Sequence, residues 1–120
     1  MINKKFIIYT LKKTLMKEIT VRELKSKIDN KEDFQLIDVR EDNERAFTNI
    51  GGDHITMGSL MQNLDKINKD KDVVIYCRSG SRSGQVVSFL EANQGFENLY
   101  NLKGGILAWA DEIDDSIKKY

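Results

Sequence analysis

The chain has 120 residues and is 40% hydrophobic, which suits one domain with an ordinary core. Nineteen basic and nineteen acidic side chains cancel, leaving no electrostatic footprint for nucleic acid. One cysteine and one histidine exclude an internal disulfide and cannot complete a tetrahedral zinc site, so the chain reads as a cytoplasmic protein with no metal and no cofactor.

Charge is uneven along the chain. Residues 1–17 hold Lys4, Lys5, Lys12, Lys13 and Lys17 and no acid, while the remainder has 14 basic against 19 acidic groups, a net of −5. The apolar run Phe6-Ile7-Ile8-Tyr9 is too short for a signal-peptide core or a membrane span. Residues 1–16 are therefore expected to be a basic extension that the fold does not need, a basic amphipathic surface helix being the other reading. Residues 17–120 form the domain.

From Lys17 onward strand-like and helix-like segments alternate, which predicts an α/β fold with a mainly parallel sheet and helices on both faces. Ile19 begins a short strand, and Thr20 with Glu23 forms a capping box for a helix through about Ile28. Phe34 to Val39 reads as a central strand buried on both faces. Helical stretches are expected at Asp42–Phe47 and Ser59–Asp65, and Val73–Tyr76 is the next strand. Val86, Phe89 and Leu90 give the segment Arg82–Asn93 an apolar helical face, stopped by Gly95. Asn98–Leu102 makes the last strand, and a closing helix starts at Ile106.

The most informative stretch is Cys77-Arg78-Ser79-Gly80-Ser81-Arg82-Ser83, set between an apolar strand and a helix. Small residues in a short loop let successive N–H groups turn toward one point, and such a concavity at a helix N-terminus favours an anion. Two arginines add permanent positive charge. In such surroundings a thiol pKa falls from near 8.5 to about 3.5–7.5, so Cys77 is expected to be a thiolate nucleophile. A buried structural cysteine would not be followed by Arg-Ser-Gly-Ser-Arg.

These residues resemble the rhodanese-like sulfurtransferase domain, whose active loop reads Cys-Arg-x-Gly-x-Arg. Leu36-Ile37-Asp38-Val39-Arg40-Glu41 is similar to the family's Leu-Ile-Asp-Val-Arg-Glu signature, and Lys103-Gly104-Gly105-Ile106-Leu107-Ala108-Trp109 to its closing Gly-Gly-x-x-Ala-Trp motif. Asn49-Ile50-Gly51-Gly52 resembles a segment of rhodanese domains fused to ubiquitin-activating-like adenylyltransferases. Asp42, Gly51 and Thr56 replace the family's prolines. The resemblance covers residues 18 to 115 and implies a five-stranded sheet ordered 1-5-4-2-3.

The implied activity is sulfur transfer. A small anionic donor such as thiosulfate would be bound by Arg78, Ser79, Gly80, Ser81 and Arg82, and Cys77 would take its outer sulfur as a persulfide. Cyanide, a thiol or a protein acceptor would then remove that sulfur. The alternative is a persulfide carrier in a protein relay serving cofactor or tRNA thiolation. Arg78 is the expected donor contact, while Arg82 is free to fold inward and hold the loop. Arg40 ends a strand and is a candidate for the pocket rim, although its place in the signature favours a bracing role. His54 reads as a surface loop histidine, Trp109 as core, and Gly58, Gly104 and Gly105 as turn residues. Cysteine phosphatases place five residues between nucleophile and arginine. Four lie between Cys77 and Arg82, so phosphatase chemistry is not expected.

Overall fold

A computed structural model describes residues 16–120, so the extension, up to residue 15, lies outside the described residues. The strands are β1 (Glu18–Ile19), β2 (Gln35–Asp38), β3 (Asp53–His54), β4 (Val73–Tyr76) and β5 (Leu99–Leu102). They form one sheet in the order β1-β5-β4-β2-β3, every pairing parallel, with Ile37 opposite Ile75 and Val73 opposite Leu99. The helices are α1 (Val21–Asp29), α2 (Asp42–Phe47), α3 (Ser81–Gln94) and α4 (Gly105–Glu112). The expected capping box is present: Thr20 accepts from the Glu23 amide, and the Glu23 carboxylate accepts from Thr20 N–H.

Strand period explains where the cysteine points. Successive side chains of β4 alternate between faces, so Val73, Ile75 and then Cys77 join a cluster with Val86, Val87 and Leu90 of α3. Val74 and Tyr76 face the opposite cluster, with Leu24 of α1 and Ile106 and Trp109 of α4. Helices thus cover both faces, as a sheet of buried parallel strands requires. Cys77 ends on the α3 side, directly beneath that helix's first turn. Among the described residues no helix is long and apolar enough to cross a membrane.

Three expectations change. The stretch expected to be helical at Ser59–Asp65 is two 3₁₀ pieces, Met57–Gln62 and Leu64–Lys66, separated at Asn63. Only Leu60 of the first piece is buried, so the segment lacks the apolar stripe that sustains an α-helix. Phe89 is 46% exposed, because the buried stripe of α3 runs through Ser83, Val86, Val87 and Leu90. His54 belongs to an edge strand and not to a loop, its Nε2 lying 2.7 Å from the Arg40 carbonyl oxygen. β3 is two polar residues with no buried apolar side chain, unlike β1 with its Ile19, which explains why it escapes a sequence reading.

Candidate active site

The carboxyl ends of β2 and β4 deliver Arg40 and Cys77 to the same edge of the sheet. After Cys77 the chain turns through Gly80, whose φ of +100° only glycine adopts freely, and enters α3. That turn aims donors at one atom. The Gly80 N–H lies 3.1 Å from Cys77 Sγ, the Ser83 N–H 3.4 Å and the Ser83 hydroxyl oxygen 3.3 Å. Cys77 is 1% exposed, so burial by itself pushes the thiol up; the amides of Ser83, Gly80 and Ser79, turned toward the sulfur, oppose this, and the Cys77 thiol lies below its ordinary value.

Helix α4 sets the loop from behind. Ile106 N–H donates to the Cys77 carbonyl at 3.0 Å and Leu107 N–H to the Arg78 carbonyl at 3.1 Å, satisfying two donors that a helix N-terminus leaves open. A peptide unit is planar and trans, so turning the Arg78 carbonyl toward α4 turns the Ser79 N–H the other way, toward the sulfur. Gly105 makes the approach possible. A Cβ there would sit 2.5 Å from the Arg78 carbonyl oxygen and 2.6 Å from that of Cys77.

The arginines occupy three different places. Arg82, in the first turn of α3, makes a two-pronged ion pair with Glu44 of α2 at 2.6 and 2.8 Å. This pairing, together with the Tyr120 hydroxyl at 2.6 Å, holds the Glu44 carboxyl well down, to about 2. Arg78 is exposed, donates from Nε to the Tyr120 main-chain oxygen and stacks over the Tyr120 ring at 5.3 Å. Arg40 is 0% exposed, bonded through Nε and an NH₂ group to Asp38 at 2.9 Å, to the Thr48 carbonyl at 2.7 Å and to the Tyr120 hydroxyl at 2.9 Å. It is a buried strut and offers no surface at a pocket rim. Arg45 joins the brace, donating to the Gly51 and Gly52 carbonyls at 2.9 and 2.8 Å, which ties down the Asn-Ile-Gly-Gly segment.

Cys77, Gly80 and the Ser79 amide therefore converge, while Arg82 faces a carboxylate and the Ser81 side chain is exposed at the start of α3. Ser83, Asn101, Glu44 and Tyr120 are polar residues of the site that sequence reading passed over. Only Ser83 carried a usable signal, a polar residue in register with Val86 and Leu90 on the buried stripe of α3.

Comparison with known proteins points one way. A model of the rhodanese-like domain matches residues 20–112. The Bacillus subtilis protein YtwF, named as a candidate sulfurtransferase, is 44% identical over 98 residues, covering 81% of this chain and 93% of that protein. A sulfurtransferase of Allochromatium vinosum is 39% identical over 97 residues, 80% of this chain and 90% of its own. The crystal structure of a rhodanese-like domain protein from Staphylococcus aureus superposes with a TM-score of 0.73 at 37% identity, over 88% of this chain and 99% of that one.

Proposed function

The chain belongs to the rhodanese-like domain family of sulfurtransferases, and from that premise we propose that it transfers sulfane sulfur through a persulfide on Cys77. The observation that carries this reading is the buried sulfur held beneath inward-turned amides. In the first half-reaction the Cys77 thiolate attacks the outer sulfur of thiosulfate. A sulfur–sulfur bond forms to Sγ, the donor's own sulfur–sulfur bond breaks, and sulfite leaves with the electron pair. The negative charge passes to the terminal sulfur of the persulfide, where N–H donors of the loop stabilise it. A thiol or cyanide acceptor then attacks that terminal sulfur and regenerates the thiolate. No general base is required once the thiol is ionised. We assign the activity to residues 17–120, treat residues 1–16 as a dispensable extension, and place the protein in the cytoplasm, where a lone thiol stays reduced.

Intact-protein mass spectrometry tests this. Thiosulfate is expected to add one sulfur atom, dithiothreitol to remove it, and Cys77→Ser to abolish the addition. Uptake that persists in Cys77→Ser sinks the reading.

A persulfide carrier fed by another sulfur-bearing molecule is the second reading. The Arg82–Glu44 pair favours it, because the charge of one loop arginine is already balanced and less remains for a dianion such as thiosulfate. Loading by a low-mass persulfide at least tenfold faster than by thiosulfate would select the carrier.

A further inference from the structure

The floor of the site holds one proton between two acceptors. Asn101, from β5, is 3% exposed, and its Nδ2 donates to the Gly80 carbonyl at 3.0 Å. Reversing that carboxamide would set its oxygen against the Gly80 oxygen, so Oδ1 faces Ser83 and, having only lone pairs, can only accept. Ser83 Oγ lies 2.5 Å from Asn101 Oδ1 and 3.3 Å from Cys77 Sγ. The hydroxyl carries a single proton. The shorter contact claims it, and turning it to the sulfur would leave a buried acceptor unpaired. The pull of the Ser83 hydroxyl on the thiol is therefore held in reserve.

From this arrangement we infer that Asn101 is a positioning residue of the sulfur-transfer site: it keeps the Ser83 proton off the nucleophile, so that the Ser83 oxygen accepts from the Cys77 thiol and main-chain amides alone carry the thiolate. The chemistry gains from this restraint. A thiolate held by every donor within reach is abundant but a weaker nucleophile, since nucleophilicity falls as basicity falls. Its bond to Gly80 gives Asn101 a second grip, fixing the peptide next to the one whose N–H points at the sulfur. Other charged groups leave room for this effect. Arg82 faces the sulfur from α3 with its charge tied to Glu44 of α2, Arg78 is turned to Tyr120, and β5 and α4 present the uncharged Asn101 and Gly105.

The inference deepens the sulfurtransferase reading, yet its test reads the thiol itself and needs no sulfur donor, so either can fail without the other. Cys77 is the only cysteine, and thiolate absorbance or the pH dependence of its alkylation by iodoacetamide reports on it alone. In the native background Ser83→Ala is expected to lower the titration midpoint, the neutral thiol losing its acceptor, or to raise it by less than about 0.3 unit. In an Asn101→Ala background, where the freed hydroxyl turns to the sulfur, Ser83→Ala is expected to raise it by about one unit or more. Equal shifts in the two backgrounds overturn the inference. So does an upward shift of about one unit on Ser83→Ala alone, which decides the matter even where Asn101→Ala fails to fold.

Discussion

Around Cys77 the polar contacts are amides and a hydroxyl, whereas around Arg40, a few residues away along the same sheet edge, they join full charges: Asp38 to Arg40 and Arg45, and Glu44 to Arg82. The loop gathers partial charges on backbone that α4 has already oriented. The brace uses formal charges, each matched by a partner, to fix α2 and the Gly51-Gly52 segment beside it. Reactivity and rigidity are thus assigned to different materials, and an arginine-rich motif does not by itself mean an electropositive site. Arg82 belongs to the loop by position and to the brace by its partner, and Tyr120 touches both through Arg78 and Arg40.

If that division holds, the largest effect on activity comes from the loop with almost none on stability. Cys77→Ser is expected to eliminate sulfur uptake while leaving the thermal midpoint nearly unchanged; a fall in Tm comparable to that of a core deletion would break the comparison. The largest effect on stability comes from the brace. Arg40→Met takes from the buried Asp38 carboxylate its two-pronged partner, leaving only the longer Arg45 and Tyr76 contacts and the main-chain amide, and is expected to cost about 3–5 kcal/mol in denaturant unfolding. The fraction still folded should load sulfur at close to the native rate, and a proportionate loss of activity would show that the two regions are one unit.

Arg78 tests the boundary between them. Its exposed guanidinium is the one in the loop without an Asp or Glu partner among its described contacts. Arg78→Ala is expected to lower kcat/KM for thiosulfate by about tenfold or more, as the loss of a charge-assisted bond of roughly 1.5–3 kcal/mol implies. A neutral polysulfide donor should lose less, and equal losses would make Arg78 a shaping residue. A smaller effect follows from acid. The Glu44 carboxyl is lowered from 4.5 to about 2 in the folded protein, so its stabilisation is fully present above pH 4.5 and is lost as pH falls toward 2. Glu44→Gln should flatten that part of the stability profile, a result readable by thermal melts across the range. The smallest effect concerns the N-terminus: removing residues 1–15 is expected to leave Tm and sulfur loading unchanged, since the described residues, 16–120, already pair five strands into one sheet between two apolar clusters. Met16 must be kept, because it packs on the α3-side cluster.

How much of this was legible in the sequence depended on the range of each interaction. The strand before Cys77, the capping box at Thr20 and the helix stop at Gly95 are written in neighbouring residues, and all three are present. Glu44 meets Arg82 across 38 positions and Tyr120 meets Arg40 across 80, distances at which no local pattern pairs them. Asn101 was hidden differently. Inside Leu99-Tyr100-Asn101-Leu102 it looks like the polar phase of a strand, although both faces of β5 are covered and its carboxamide points beneath the loop. Phe89 failed through phase, since hydrophobic spacing of three and four residues defines a face only when its centre is known. Here the centre includes the polar Ser83.

The two hydrogen bonds from α4 to the Cys77 and Arg78 carbonyls make bystanders into reporters. For the catalytic peptide units to swing, Ile106 and Leu107 must release their amide protons to solvent, so the exchange of those two protons times the opening of a loop some thirty residues upstream. A sulfur atom seated on Cys77 that draws the loop amides more tightly inward should slow both clocks together, allowing the occupancy of the sulfur site to be followed in solution from a helix that never touches the cargo.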